Sequence, residues 1–137
     1  HRSAKGEILT IRIPDFREKR IINRNGWLMP YDSKKNLYRA GATFEWDELN
    51  VNTTVKGREL IENKIRSLIH SPFEVVDHQA GIRPIVRKSQ PFIEALDEKS
   101  YVINGFGSKG TLYAPKVTRE FAEHILEGSA LSSWYSL

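Results

Sequence analysis

The chain has 137 residues, 39% of them hydrophobic and 28% charged, which suits one ordinary soluble domain with a core of its own. It has no cysteine, so disulfides, thiolate metal sites, a thiol nucleophile and a cysteinyl cofactor link are excluded, and no apolar run approaches the roughly 18 residues of a membrane span. The net charge of +4 is small, and the densest basic group, Arg17, Lys19, Arg20 and Arg24, is interleaved with Asp15 and Glu18, which favours a solvated surface over a nucleic-acid patch.

The chain opens His1-Arg2-Ser3 and has its single methionine at Met29, so it begins with neither an initiator nor a signal-peptide core, and an upstream segment is expected to have been removed. The lack of cysteine fits a reducing cytosol, so a cytoplasmic location is expected.

Residues 6–13 alternate, with Ile8, Thr10 and Arg12 on one side and Leu9, Ile11 and Ile13 on the other, and predict a strand stopped by Pro14. Asn25-Gly26 between residues 20–24 and 27–31 predicts a hairpin on a type I′ turn, with positive φ at both central residues. Residues 37–46 read as one strand, with Tyr38, Ala40, Ala42, Phe44 and Trp46 on one face and Leu37, Arg39, Gly41, Thr43 and Glu45 on the other. Gly41 on that mixed face leaves room for a close approach.

Asn52-Thr53-Thr54 offers N-caps for a helix reaching about Ile69, with Leu60, Ile61, Ile65, Leu68 and Ile69 on one stripe. Residues 73–77 and 82–86 read as two extended pieces meeting around Gly81. A strand at 101–104 then runs into Gly105-Phe106-Gly107-Ser108-Lys109-Gly110 and a helix with Val117, Phe121, Ala122 and Ile125 on one face, closing near Gly128. Residues 129–137 read as a loose tail. The fold class is α+β: a mainly antiparallel sheet with one packed helix, followed by a strand-loop-helix unit.

Two features point to chemistry. The glycines at 105, 107 and 110 follow a strand and open a helix, an arrangement that lets backbone N–H groups approach an anion or cofactor; a tight strand-to-helix turn would use the same residues. No second strand ending in an acid follows, so this is not the first βαβ of a dinucleotide domain. Arg83 stands in an otherwise apolar extended stretch, where a guanidinium wants a carboxylate or phosphate, either from a ligand or from an internal acid such as Asp77 or Glu74. His1, His70, His78 and His124 have no metal-site spacing, and no serine sits in a nucleophile elbow, so neither a metal nor hydrolase chemistry is expected.

Taken in order, Lys5-Gly6-Glu7-Ile8-Leu9, Gly81-Ile82-Arg83-Pro84, Pro91-Phe92-Ile93, and the 104–110 loop with Ala114-Pro115 resemble the carboxyl-terminal half of the D-amino-acid oxidase type of FAD-dependent oxidoreductases, which includes glycine and sarcosine oxidases. The resemblance runs from about Lys5 to Leu126. It implies a substrate domain over 5–80, a segment over 81–128 that closes a discontinuous FAD-binding domain, and a tail over 129–137, with the rest of that FAD-binding domain supplied upstream.

The resemblance also implies that FAD is bound non-covalently, mostly by residues outside this chain, and that an amine or amino acid is oxidised at its C–N bond by hydride transfer to the flavin. By the same resemblance Arg83 binds the substrate carboxylate, Gly105, Gly107, Ser108, Lys109, Gly110 and Thr111 lie against the flavin, and Arg39, Thr43 and Tyr31 line the pocket. No catalytic acid or base is named, because none is needed if the amine enters neutral. The isolated chain is expected to be inactive. One departure is Glu94, where the family usually has glycine; a carboxylate at a tight turn there would disturb the flavin site and favour a non-catalytic binding module of the same fold. A basic nucleic-acid-binding domain is the further alternative.

Overall fold

The computed structural model describes residues 2–86 and 90–135; His1 and the last two residues of the expected tail lie outside the described residues. Ser3–Arg83 forms one compact unit, and Pro84–Leu137 with the first two residues forms the other.

The first unit is built on strands β1 (Arg2–Arg12), β2 (Ile22–Asn23), β3 (Trp27–Asp32), β4 (Leu37–Gly41) and β5 (Glu74–Ile85), with helix α1 (Val55–Leu68) between β4 and β5. The five strands form one sheet in the order β2-β3-β4-β1-β5. The β2–β3, β3–β4 and β4–β1 pairings are antiparallel, so the sheet is mainly antiparallel as expected.

Alternation along β1 buries Leu9 and Ile11, with Ile13 just beyond the strand, and register brings Leu28, Tyr38 and Ala40 to the same side. The α1 residues Ile61 and Ile65, with Ile69 at its end, complete that core. Each such aliphatic side chain contributes about 1.5–3 kcal/mol when fully buried. Thr54 caps α1, its hydroxyl accepting from the Gly57 N–H at 2.9 Å, whereas Leu60 is displaced from the expected stripe and stays about half exposed.

Several local expectations change. Asn23 pairs with Trp27, so the hairpin loop is Arg24, Asn25 and Gly26, one residue longer than a type I′ connection, and of the central pair only Asn25 has positive φ. Regular pairing of the 37–46 stretch ends at Gly41, with one further bridge between Glu45 and Lys5. The room beside Gly41 is filled from within: a Cβ there would meet the Trp27 indole at 2.8 Å and Ile8 at 3.0 Å. There is no break at Gly81, because β5 runs continuously from Glu74 to Ile85. Its irregularity lies earlier. Val75 packs on the core and His78 reaches Glu7 on the same side, an odd spacing that simple alternation forbids.

The second unit holds the antiparallel hairpin of β6 (Phe92–Ala95) and β7 (Tyr101–Asn104), a short 3₁₀ turn (Gly107–Lys109) and helix α2 (Gly110–Glu127). Gly128 ends α2 in the left-handed region at φ 71°, as a helix-terminating glycine does. The buried stripe of α2 is rotated from the expected one: Ala122 and Ile125 are exposed, while Val117 is buried and Phe121 packs edge-on against Tyr101 at 5.1 Å.

The tail explains the rotation. Its described part is held down: Tyr135 is buried with its hydroxyl on Glu120, Trp134 packs against Tyr113 at 5.7 Å, and Gln90 holds the Trp134 carbonyl. Burial and the Glu120 carboxylate push the Tyr135 phenol up to about 12.

Candidate functional site

The two sides of β1 carry different chemistry. Gly6, Ile8, Thr10 and Arg12 point away from α1, and register adds Leu37, Arg39 and Gly41 of β4 and Trp27 and Met29 of β3 to that open face. Arg83 reaches it from β5. A Cβ built on Gly6 would collide with the Arg83 guanidinium, so the glycine is what gives that head its place.

Half-buried Arg83 is lightly held. Its Nη1 donates to the Thr43 carbonyl at 3.3 Å, and its guanidinium carbon lies 5.2 Å from the centre of the Phe44 ring. The internal salt bridge that would have explained it blandly is not made: the Glu74 carboxylate pairs with Arg12 at 2.7 Å, and Asp77 accepts from the His78 N–H at 2.9 Å. A guanidinium has five N–H donors, and among the described residues only one on Arg83 has a hydrogen-bond acceptor.

Arg39 is also without an acid among the described residues. Its guanidinium lies 4.2 Å above the centre of the Tyr31 ring, and its buried Nε has no hydrogen-bond partner. Tyr31 sits in the register irregularity between Pro30 and Asp32, with its ring about half exposed. Thr43, expected to line the pocket, also acts as a clamp: its hydroxyl accepts from the Glu7 N–H at 2.9 Å, its N–H donates to the Glu7 carbonyl at 3.2 Å, and its own carbonyl holds Arg83.

On the α1 side of β1, Lys5 and Glu7 are buried charges that satisfy their neighbours. The Glu7 carboxylate accepts from the Thr54 N–H at 2.9 Å and the Thr54 hydroxyl at 2.8 Å, and it lies against Gly57 in the first turn of α1. His78 Nε2 is 2.8 Å from it, close enough for an ion pair though not aligned as a hydrogen bond, and the Lys5 ammonium is at 3.8 Å while donating to Asn50 at 3.1 Å. Burial raises the Glu7 pKa, but the Thr54 hydrogen bonds and the charges of His78 and Lys5 outweigh it and hold the carboxyl below its ordinary value.

A cleft of about 540 Å³ opens beside this cluster, lined among others by Lys5, Glu7, Phe44, Thr54 and Gly57. Its buried charges already have partners, and Arg83 does not line it. Lys56 and Lys64 also line it, the Lys64 ammonium donating to the Ala42 carbonyl at 2.8 Å.

In the second unit, Gly105 and Gly107 have positive φ, at 85° and 56°. A side chain on Gly105 would also strike the Gln90 carbonyl, so these two glycines serve the turn itself. Gly110 is different: it has ordinary helical φ, and a Cβ there would find only Phe106 at 3.4 Å, so nothing local demands a glycine. Ser108, Lys109 and Thr111 are exposed at the start of α2, where no side chain caps the helix and no acid occupies the first turn. Two hydroxyls and a lysine at a helix amino end make a donor-rich set that fits an anionic or electron-rich group. Among the described residues no cluster of histidines and acids suited to a metal is found.

No protein-family model matches the chain. Solved structures do. An iminodiacetate oxidase from Chelativorans sp. BNC1 superposes with a TM-score of 0.75 at 16% identity, covering 98% of this chain and 39% of that one. A glycine oxidase from Geobacillus kaustophilus superposes with a TM-score of 0.70 at 20% identity, covering 95% of this chain and 36% of that one. An L-proline dehydrogenase from P. horikoshii gives a TM-score of 0.69 at 16% identity, with coverages of 94% and 37%. The chain has the fold of part of an amino-acid oxidoreductase. It spans between 36% and 39% of the length of these chains.

Sequence reasoning singled out Arg83, Arg39 and Tyr31, and the structure puts both guanidiniums on one sheet face. It missed Gly6 and Phe44 as the residues that seat Arg83. The available signal for the first was a glycine at the start of the 6–13 strand; Phe44 gave none, because its partner comes from a strand far along the chain.

Proposed function

We propose that this chain supplies the carboxylate-binding sheet and the flavin-closing loop of an FAD-dependent oxidoreductase that oxidises the C–N bond of an amino acid or secondary amine. The observation that carries the proposal is Arg83: a half-buried guanidinium seated over Gly6, with one long hydrogen bond and no acid among the described residues. Such a group recognises a carboxylate through its planar donor edge. In this reading Ser3–Arg83 is the substrate domain, and the unit from Pro84 onward completes the flavin domain.

FAD, when bound, accepts the hydride lost from the carbon next to nitrogen. Arg83 fixes the carboxylate on that carbon, and Thr43 and Phe44 fix Arg83. The 105–111 loop offers amide donors and Lys109 to the electron-rich edge of the ring system, which favours the charge gained on reduction. The departure at Glu94 carries less weight than its position in sequence suggests. The residue is exposed in β6 opposite Val102, not at a tight turn, so the reason for reading the chain as a non-catalytic module is weakened.

The test is flavin reduction in the FAD-loaded full-length protein mixed anaerobically with small N-alkyl amino acids and with the matching amines that lack a carboxylate. The amino acids should bleach the flavin and the amines should not, and Arg83→Gln should raise the half-saturating amino-acid concentration at least about thirty-fold. Equal response to both sets, or an Arg83→Gln variant with unchanged half-saturation, overturns the assignment. The 137-residue chain alone should neither hold FAD tightly nor turn over.

A further inference from the structure

Two glycines on the open face of the sheet make room for side chains from other strands. Gly6 gives its place to the Arg83 guanidinium, and Gly41 to the six-membered ring of the Trp27 indole, which a Cβ there would meet at 2.8 Å. Neither glycine has positive φ, so the backbone calls for glycine at neither position; what each supplies is space.

The two seats are neighbours. Gly41 is the register partner of both Trp27 and Ile8, and the Ile8 Cγ2 would lie 3.0 Å from the same Cβ, so the indole crosses Gly41 from β3 and meets the Ile8 side chain on β1. Ile8 follows Gly6 by two residues on the same face, which sets the guanidinium and the edge of this platform about 7 Å apart at strand rise. A carboxylate paired with Arg83 takes up about 3 Å of that reach, and the remainder is the span of one amino-acid side chain. The row Trp27-Gly41-Ile8 carries no charge, its one polar side-chain group is the indole N–H, and Trp27 and Ile8 are both half-buried. A charged substituent leaving Arg83 in this direction would lose water and gain no partner, whereas a flat apolar ring would bury area on both residues and stack on the indole.

We propose that Trp27, laid over Gly41 against Ile8, is a stacking platform beside Arg83, and that the preferred substrates are amino acids whose side chain carries a flat apolar ring. This rests on the amine-oxidising reading above and narrows its substrate class. Arg83 takes the carboxylate and Trp27 selects the group attached to the same carbon.

The test titrates 3-phenylpropanoate, 3-cyclohexylpropanoate and propanoate into the FAD-loaded full-length protein and follows the flavin difference spectrum. Each has the carboxylate but no amine, so it occupies the site without reducing the flavin. The phenyl compound should bind at least about ten-fold more tightly than propanoate. It should also bind at least about three-fold more tightly than the cyclohexyl compound, which has the apolar bulk without the flat face. Trp27→Leu, which keeps an apolar side chain and removes the ring, should bring the two six-membered rings level. Trp27→Phe, with a smaller ring, should retain only part of the preference. Equal affinity of the phenyl and cyclohexyl compounds for the unmodified protein overturns the platform, as does a full preference surviving in Trp27→Leu. If the Leu variant does not fold, the Phe variant decides: an undiminished preference there overturns the role of the indole. If none of the three carboxylates perturbs the flavin, the amine-oxidising reading itself falls; if all three bind alike, only the platform does.

Discussion

The two sides of strand β1 treat charge in opposite ways. Toward α1, Glu7 is 4% exposed and Lys5 2%, yet each has partners: Thr54 twice, His78 and Lys5 around the carboxylate, Asn50 beside the ammonium. On the open face, Arg39 and Arg83 are less buried but have aromatic rings and a carbonyl where acids would be expected. Buried charge that is satisfied inside the fold holds the fold together; partly buried charge that is not satisfied is left for a ligand. The contrast argues that stability and recognition are separated across one sheet, within reach of neighbouring residues of the same strand.

If so, the largest effects on stability come from the satisfied side. Glu7→Ala removes the acceptor for both Thr54 donors and leaves Lys5 and His78 facing each other without it, and should cost about 3–5 kcal/mol in urea denaturation. A loss below about 1 kcal/mol would mean that the cluster is incidental to the fold.

The same carboxylate gives the fold a pH dependence. Its folded pKa is below the ordinary 4.5, so its contribution is complete above that pH and is lost as pH falls through the lower folded value. Stability measured against pH should therefore decline less steeply below 4.5 in Glu7→Gln than in the unmodified protein, and parallel curves would assign the acid loss to other groups.

Next in size is Gly57→Ala. Alanine in a helix is ordinarily better than glycine by about 1 kcal/mol. Here the new Cβ would come within 2.5 Å of a Glu7 carboxylate pinned from several sides, so the substitution should instead destabilise by about 1–2 kcal/mol. A gain in melting temperature would show that Glu7 can move, and that the cluster is looser than its distances suggest.

How much of this was legible beforehand follows from the range of the interactions. The β1 core face, the cap at Thr54 and the end of α2 at Gly128 depend on alternation and on residues within one turn, and these were read correctly. The Glu7 cluster unites residues at 5, 7, 50, 54 and 78, and no local pattern in the chain joins them. The same holds for the tail, whose order comes from Glu120, Tyr113 and Gln90. Arg83 stood out as a charge in an apolar run, but whether it met an acid depended on where Glu74 and Asp77 were already engaged, which only the fold decides. The close approach expected at Gly41 is made, but the group that makes it, Trp27 from the next strand, is again one that no local pattern names.

The sharpest separation of the two sides uses the same glycine-to-alanine change on the other face, with the smallest expected effect on the fold. Gly6→Ala also drives a Cβ into a charged head, that of Arg83. This head is the end of a flexible side chain held by one 3.3 Å hydrogen bond, and Gly6 does not have the positive φ that would strain an alanine. The guanidinium should swing away rather than the strand give, so unfolding free energy should stay within about 1 kcal/mol of the original. Ligand recognition should not survive so well, because the displaced head no longer presents its donor edge over β1; half-saturation by an N-alkyl amino acid should rise at least about ten-fold in the FAD-loaded protein. A Gly6→Ala variant destabilised as much as Gly57→Ala would show that Arg83 is wedged in place as part of the fold, and the division of labour across β1 would have to be abandoned.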